Sequence, residues 1–477
     1  MKNFTSIFFL LLPAFLVAQA VTVSEEVSIR EDLSYYLLDD QRGNVLLFHD
    51  RATKFIVQGF DKRLHKQWEK DLELDKKRPA IIDVASIGGD FCVFYTFRQK
   101  QHSFLKVHRY NPAANLVDSV TIEDLGVVFY TKKMETEYSD DKKIALLWNI
   151  ENQDKINAFA FHMGQMKLLW ARTFTTDGFL FSRDFHQMLV DNNGNMYMVL
   201  KKENRRSKQD KHYLEILECD GAEDSPIKRR TVDMQSHLTF DAYFTYDNLN
   251  HALVAGGLYG DDHTAKADGL FYLNSPSNDP GKQTLAFHPF DRKFVNILLE
   301  KDKSKNKGLT DVKVQDVVLR RDGGIILFAE LAKDFVRGGA SSSYYSHNGM
   351  RPIMDYYYDD LFLVSFHPTG ELHWKNILHK KQYSQDDEAS YSSYFLAKTR
   401  SALRVIFNDE IKSENTVSEY IISGNGDYDR NAVMNTEDKD LGLRFADAIQ
   451  ISANEFVVPS ERRQRLKLVK VSYEGNQ

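Results

Sequence analysis

The sequence is poor in cysteine and lacks the short motifs that mark common enzyme classes. Its 477 residues include two cysteines, Cys92 and Cys219, and each stands in an apolar, strand-like run. One disulfide between them is allowed, but two separate buried thiols fit these surroundings better. No HExxH, GxSxG, GxGxxG or P-loop pattern occurs, so the metalloprotease, hydrolase and nucleotide-binding classes that depend on them have no support.

Two further absences bound the function. Lys and Arg together number 62 against 68 Asp and Glu, a net charge of −6, whereas a dedicated nucleic-acid binder shows a basic balance. No stretch after residue 20 reaches about 18 successive apolar residues, so no membrane span is predicted. We expect neither a nucleic-acid partner nor a membrane-embedded domain.

The N-terminus has the layout of a secretory signal peptide. Lys2 precedes an apolar run at 8–17, and Ala18-Gln19-Ala20 forms an A-x-A cleavage site. This pattern is too short for a spanning helix and is typical of an exported protein. We therefore predict a signal peptide over 1–20, cleavage after Ala20, and a periplasmic or secreted chain over 21–477.

Apolar, β-rich runs recur along this chain with turn residues between them. Eight of them open near Gly43, Gly89, Lys142, Gly194, Asn250, Gly323, Ser401 and Asn454. Each of these runs is followed by a second apolar run and is preceded by a further strand. In the third unit, that preceding strand is placed at 128–134. A more polar strand closes seven of the units. Four strands in about 55 residues are typical of a propeller blade. The fold class predicted is all-β, a β-propeller with eight four-stranded blades, with seven as the alternative.

Tryptophan supports this register. The segments 60–68, 161–170 and 366–374 each run from a phenylalanine through a turn to a tryptophan. Three of the four tryptophans thereby fall in the outer strand of a blade, where an indole can cover the contact between neighbouring sheets; Trp148 is the exception. The eighth unit lacks an outer strand, and the alternating segment Val21–Ile29 is predicted to supply it and close the ring. The closing strand is assigned to 21–30.

The turn that leads from Phe and Asp or His through Gly to Trp resembles that of the pyrroloquinoline-quinone-type eight-bladed propellers. The chain is also similar to the periplasmic scaffold lipoprotein of outer-membrane barrel assembly. This resemblance implies a single propeller domain over 21–477. It departs where chemistry matters, because the quinone enzymes use vicinal cysteines and a calcium site, and the lipoprotein a lipidated cysteine. No Cys-Cys pair and no cysteine at the cleavage site occur here, so no cofactor is expected and no activity is implied.

Two insertions interrupt the sixth unit, at 291–311 and 333–360. The first has helical spacing at Phe294, Ile297 and Leu298. The second is read as a rim loop that binds a partner, because tyrosine offers a large contact area at small entropic cost. Its candidate residues are Tyr344, Tyr345, Arg351, Tyr356, Tyr357 and Tyr358. The alternative is a loop that packs its own aromatic rings over the disc.

Other polar clusters have plainer explanations. The segment 425–431 alternates Asn and Asp but fails the calcium-loop pattern. The segment 261–268 clusters Asp and His at a hairpin tip, and tips of this composition are usually solvated. Basic tips at 201–208 and 461–465 are read as solvated hairpins. Asp83, Asp191, Asp241, Asp316 and Asp447 could line the central channel; such residues more often end a strand or bond to the backbone at turns. No catalytic or metal-binding residue is assigned.

The function predicted is that of an exported, monomeric, non-enzymatic propeller that binds a protein or cell-envelope component through one rim. Two alternatives stay open: an enzyme acting on a carbohydrate or other polymer at the central channel, and a small-ligand or metal-binding sensor.

Overall fold

The computed structural model describes residues 19–75, 78–127, 133–207, 211–221, 225–300, 308–337, 353–409, 411 and 416–473. Two strands come first, β1 (Gln19–Val23) and β2 (Val27–Ser28). Blade 1 then contains β3 (Ser34–Asp39), β4 (Val45–Asp50), β5 (Phe55–Phe60) and β6 (Lys66–Leu72). Blade 2 contains β7 (Ala80–Ile87), β8 (Asp90–Gln99), β9 (His102–Tyr110) and β10 (Leu116–Val127). Blade 3 contains β11 (Glu135–Tyr138), β12 (Ile144–Glu151), β13 (Lys155–His162) and β14 (Lys167–Thr175).

The next three blades follow the same order. Blade 4 contains β15 (Phe185–Val190), β16 (Met196–Lys202), β17 (Tyr213–Cys219) and β18 (Lys228–Asp233). Blade 5 contains β19 (Leu238–Asp247), β20 (Ala252–Gly260), β21 (Gly269–Pro276) and β22 (Thr284–Pro289). Blade 6 contains β23 (Val312–Leu319), β24 (Ile325–Arg337), β25 (Ile353–Phe366) and β26 (Leu372–Leu378), joined by β27 (Gln382–Gln385).

The last two blades complete the ring. Blade 7 contains β28 (Phe395–Lys398), β29 (Ala402–Asn408), β30 (Thr416–Ser423) and β31 (Tyr428–Asn435). Blade 8 contains β32 (Ile449–Ser452), β33 (Glu455–Arg462) and β34 (Arg465–Tyr473). The helices are α1 (Phe181–Asp184) and α2 (Arg292–Leu298), with 3₁₀ turns at Pro280–Lys282, Glu437–Lys439 and Phe445–Asp447.

The eight-bladed ring is confirmed. Each blade is an antiparallel sheet, with its strands in sequence order except in blade 8, whose outer strand is β1. The first strands of most neighbouring blades lie against one another around the axis. Buried apolar side chains of the described residues form eight clusters, one between each pair of neighbouring blades, including blades 8 and 1. The core is therefore a ring of apolar layers, each between two neighbouring sheets. The second strand of each blade is buried between two such layers, which is why it is mostly apolar.

The N-terminal strand closes the ring. Strand β1 pairs with β34 from Gln19 opposite Tyr473 to Val23 opposite Val469, and Val27 and Ser28 pair further along β34. The predicted closing strand is thus present, but it is broken in two and begins two residues before the predicted cleavage site. Pairing of the two ends removes an exposed edge from the last blade.

Tight turns on one face of the disc repeat one hydrogen-bonding pattern, in which an Asp carboxylate accepts from backbone N–H groups of the turn. In the turn after β3, the Asp40 carboxylate accepts from the backbone N–H groups of Arg42 and Asn44 at 2.8 and 2.9 Å. Gly43 has φ +83° there, which a residue with a side chain rarely adopts. The turn after β15 repeats this arrangement around Asp191. Because such turns recur between the strands, they mark the repeated units in the sequence.

Polar side chains on four of the inner strands each tie their blade to the next one. A β-bulge precedes each of them, and the side chain after the bulge reaches across the blade boundary. The ties are Asp83 to the Tyr138 hydroxyl at 2.8 Å, Gln187 to the Phe244 backbone at 2.8 and 2.9 Å, Asp241 to the Val314 N–H at 2.7 Å, and Asp316 to the Tyr394 hydroxyl at 2.9 Å.

Two tryptophans of the outer strands contact turns of the next blade. Trp68, Trp170 and Trp374 lie in β6, β14 and β26, as predicted. The Trp170 indole N–H donates to the Gly194 carbonyl of blade 4 at 2.8 Å, and its ring covers Gly221, where a Cβ would collide with it. Trp374 covers Gly426 of blade 7 in the same way, and its indole N–H donates to the Gly424 carbonyl at 3.2 Å.

Two sequence predictions concern single elements. The inner strand of blade 3 is Glu135–Tyr138 rather than 128–134, of which 128–132 lie outside the described residues. Cys92 and Cys219 are both free and buried. Among the described residues, no helix combines the length and apolarity that a membrane crossing requires.

Candidate functional site

The connections divide between the two faces of the disc. In an antiparallel four-stranded blade, the link between the second and third strands and the link to the next blade emerge on the same side. That side, here called the long-connection face, carries α1, α2, β27 and the connection between β24 and β25. The opposite face carries the tight turns described above. Departures from the repeat are therefore concentrated on one face, where binding loops of a rigid scaffold are expected.

Blade 6 contains the two longest strands of the described residues, β24 and β25, and both extend onto the long-connection face. Residues 332–337 of β24 continue past the blade and pair with residues 353–358 of β25, while β27 adds a third strand on the other side of β25. These three segments are here called the blade-6 extension. The predicted rim loop is therefore a β-sheet where it is described, and its remaining residues, 338–352, lie outside the described residues.

The candidate tyrosines divide accordingly. Tyr344, Tyr345 and Arg351 lie outside the described residues. Tyr356, Tyr357 and Tyr358 are consecutive in β25, so Tyr357 points to one face of the extension and its two neighbours to the other.

A buried carboxylate organises the face that carries Tyr357. Asp355 is 1% exposed and accepts from Arg337 and from the Tyr383 hydroxyl, each at 2.8 Å. The ring of Tyr357 packs at a tilt against that of Tyr383, with centroids 5.0 Å apart. Residues from all three strands meet here, so the extension is held by side chains as well as by its ladder.

The opposite face of the extension is fixed to the inner strand of its own blade. Lys313 lies 5.7 Å above the ring of Tyr358 and 3.3 Å from the Asp334 carboxylate. Burial raises the pKa of the Tyr358 hydroxyl, which keeps the phenol neutral at physiological pH.

An ion pair without solvent exposure underlies the extension. The Lys380 ammonium lies 2.5 Å from Glu330, and both side chains are 0% exposed. Lys380 also donates to the Tyr358 carbonyl at 2.9 Å and to the Gln382 amide oxygen at 2.8 Å. Burial lowers the pKa of Lys380, and the Glu330 carboxylate opposes that shift. The ladder between β24 and β25 is irregular at this point, so the pair secures the position where the extension leaves the blade.

A cleft of about 790 Å³ lies beside the extension, between α2 and blade 7. Acidic and basic side chains line it in pairs: His379 is 2.9 Å from Asp360, and Arg430 is 2.6 Å from Asp409. Burial raises the pKa of Asp360. The cleft thus presents charge of both signs, part of it engaged in ion pairs, and its described lining includes no cysteine or serine nucleophile beside a base.

The remaining predicted clusters resolve into structural contacts. Asp191 caps a turn and Asp447 pairs with Arg444 at 2.6 Å, while three of the other carboxylates considered for the channel form the ties between blades. Asn425 donates to Asp427 at 2.7 Å within a hairpin turn. Over the part of the chain that the structure describes, no three His, Cys, Asp or Glu side chains gather in a metal-binding group.

Sequence reasoning missed the exposed apolar part of this site. Phe335 is 48% exposed, Val336 53% and Tyr357 37%. The first two stand at the end of β24, and the charged residues Lys333 and Asp334 obscure the alternation there. Strand β27 is too short and polar to be predicted from its composition.

No protein-family model and no curated protein matches the sequence. Solved structures that match include dipeptidyl peptidase 4 of Porphyromonas gingivalis, at 10% identity and TM-score 0.45, covering 92% of this chain and 59% of that one. A europium-containing methanol dehydrogenase matches at 9% identity and TM-score 0.41, covering 95% and 93%. The polysaccharide lyase Uly1 matches at 8% and 0.41, covering 95% and 100%. At these identities and TM-scores the activities of these proteins do not transfer to this chain. By its own strand pairing, the chain is an eight-bladed β-propeller.

Proposed function

We propose that this protein is an exported propeller without catalytic activity of its own, which binds a protein of the cell envelope through the blade-6 extension. The observation that carries the proposal is a rigid, three-stranded projection that exposes Phe335 and Tyr357 on one face. Grouped exposed apolar side chains on a soluble surface mark interaction sites. Because the ladder, Asp355 and the buried ion pair already fix the projection, little conformational freedom is lost on binding.

The use of the carboxylates supports a scaffold rather than an enzyme. Asp83, Asp241 and Asp316 are committed to ties between blades. They therefore stiffen the disc, which is what a platform for a partner requires.

Retrieval of the tagged protein from its own envelope tests this proposal. The double variant Phe335→Ser/Tyr357→Ser removes the apolar surface without touching Asp355. Leu372→Ser is the matched control, because Leu372 is an exposed apolar residue of the same blade, 38% exposed, next to the tight turn on the opposite face. We expect a stoichiometric partner with wild type and with the control, and loss of it with the double variant. Equal recovery from all three proteins would reject the extension as the site.

Export is tested separately. The proposal of export depends on the signal-like pattern at the N-terminus, and N-terminal sequencing of the purified protein should then begin at Val21. Cleavage there leaves Val21–Val23 of β1 paired with β34. A chain recovered intact from the cytoplasm would contradict the export part of the proposal alone.

The second candidate is an enzyme acting on a polymer at the central channel, and Glu137 is the residue that favours it. Glu137 lies on the inner strand β11, where burial and then the neighbouring Glu135 raise its pKa to about 7. A carboxylic acid with such a pKa can transfer a proton near neutral pH. Wild type and Glu137→Gln should be assayed on a panel of glycans. Turnover that the variant lacks would favour this candidate, and no turnover by wild type would remove it.

A further inference from the structure

We propose that the outer edge of β24, at 333–337, accepts an extended segment of the partner as an added β-strand, and that this segment carries acidic side chains at alternate positions. The inference depends on the proposed function and specifies how the partner is recognised. It concerns main-chain pairing at one edge, whereas the proposed function concerns the extension as a whole.

The edge begins where the inner strand of blade 6 ends. Strand β23 pairs with β24 only as far as Val312 opposite Leu331. At the next residue, the Ala332 N–H turns away from β25 and donates to the Asp311 carbonyl at 3.1 Å. Backbone groups alternate in direction along a strand, so Asp334 and Val336 also direct their N–H and C=O groups outward. No strand within the described ranges pairs with 333–337 on this side.

The other edge of the extension is already occupied. Strand β27 pairs with β25 from Gln382 opposite Tyr358 to Gln385 opposite Asp355. The extension therefore has an added strand, β27, along β25 and an unpaired edge along 333–337 of β24. Both edges offer the same backbone geometry. An open edge of five residues is a template for pairing with another chain.

The side chains on this edge specify the chemistry of the added strand. Lys333, Phe335 and Arg337 alternate along the strand and share one face. The side chains of Lys333 and Arg337 stay 49% and 50% exposed although each contacts a carboxylate of its own chain. An added strand places its side chains directly opposite these, where unlike charges stabilise the pair and like charges oppose it. The complement has acidic residues opposite Lys333 and Arg337 and an apolar residue opposite Phe335.

The same charges disfavour a second copy of this chain as the occupant. If two extensions paired antiparallel about Phe335, Lys333 of one copy would lie opposite Arg337 of the other. That register opposes two cations at both ends of a five-residue strand. A partner of a different sequence avoids this repulsion.

A pair of synthetic peptides tests the edge directly. The probe contains Glu-Thr-Val-Thr-Glu and the control Lys-Thr-Val-Thr-Lys, each with a fluorescein label on a glycine spacer. Both sequences read the same in either direction, so either strand orientation presents the terminal residues to Lys333 and Arg337. Binding is measured by fluorescence polarisation at low salt, because the discriminating contacts are exposed and therefore screened by salt. We expect wild type to bind the acidic peptide and to prefer it over the basic one.

Variants at one position separate main-chain pairing from side-chain contact. Val336→Pro removes an outward N–H and blocks an added strand, while the N–H groups that face β25 are untouched. Val336→Thr keeps the N–H and is the matched control. We expect the proline variant to bind the acidic peptide about tenfold or more weakly than the threonine variant. Lys333→Glu leaves the backbone intact and should reduce the preference for the acidic peptide, which keeps the test valid if the proline variant does not fold.

The outcomes distinguish this inference from the proposed function. Three results would overturn the inference that the edge binds an added strand: equal binding of both peptides, no binding by wild type, or equal binding by the proline and threonine variants. If Val336→Pro still retrieves the envelope partner in full, the edge inference fails while the proposed function survives; if wild type retrieves no partner, the proposed function fails. A dimer by light scattering that Val336→Pro converts to a monomer would assign the edge to a second copy and reject the proposed occupant.

Discussion

Replacing Trp170 should show how much its contacts with turns of the next blade contribute to stability. Trp170 is 8% exposed, covers Gly221 and donates to the Gly194 carbonyl at 2.8 Å. Truncation of a buried tryptophan to alanine lowers the free energy of unfolding by roughly 3–5 kcal/mol, and Trp170→Ala should fall in this range. Trp170→Phe keeps a ring over Gly221 and leaves the Gly194 carbonyl without its donor, which should cost about 1–2 kcal/mol.

Trp374 provides the internal comparison for this prediction. It makes the same kind of contact, but it is half-buried and its hydrogen bond is 3.2 Å long. Trp374→Ala should therefore lower the free energy of unfolding by about half as much as Trp170→Ala. Equilibrium unfolding in urea, followed by circular dichroism, measures all three variants. A cost below about 1 kcal/mol for Trp170→Ala, or equal costs for both alanine variants, would refute the reasoning from burial and contact.

Three further predictions follow from buried groups. Lys380→Met should lower the free energy of unfolding, measured in urea, by roughly 3–5 kcal/mol. A double-mutant cycle with Glu330→Gln should show that the losses of the two single variants are not additive; additive losses would contradict the coupling. The pKa of Glu137 rises from its ordinary 4.5 to about 7 on folding, so the folded state holds a proton that the unfolded state releases across this interval, and stability falls as pH rises through it. Glu137→Gln should remove up to about 3 kcal/mol of that fall in the free energy of unfolding. Unfolding curves of wild type and variant at pH 5 and at pH 8 would show the change; identical pH profiles of the two proteins would argue against it. Burial raises the pKa of Cys92 to about 12 and also raises that of Cys219, so neither thiol should react with Ellman's reagent until the protein unfolds, and rapid reaction of the native protein would contradict their burial.

The repeat could be predicted because its strongest signals are local. Within a single unit, a strand such as Phe55–Phe60, a turn capped by Asp61 and a following Trp68 are neighbours in sequence. Strand length, alternation and turn residues are all readable over such a distance. Tryptophan placement was predictable for the same reason.

The inner strand of blade 3 was placed wrongly because its own residues give no hydrophobic signal. The segment at 128–134 begins with Val-Phe-Tyr and resembles a strand, whereas the observed β11 reads Glu-Thr-Glu-Tyr. Other inner strands, such as Ala80–Ile87, contain several apolar residues and are recognisable from them. Glu137 escaped notice as a site residue because β11 lacks such a signal.

The site itself depends on contacts that are distant in sequence. Glu330 and Lys380 are fifty residues apart and meet only when β27 returns beside β25. The tyrosines of β25 were read as a loop because Gly- and Ser-rich sequence precedes them, but strand pairing with 332–337 and with β27 decides their conformation. Propensity gives way here to tertiary pairing, as it commonly does in sheets.

Site-specific photo-cross-linking in the native envelope tests the central claim most directly. A photoreactive residue at position 357 replaces the exposed Tyr357 of the blade-6 extension. The control replaces Thr369, an exposed residue in the tight turn of the same blade on the opposite face. The account predicts one dominant cross-linked protein from position 357 and none from position 369. Equal cross-linking from both positions, or cross-linking from 369 alone, would contradict the assignment of the long-connection face as the binding surface.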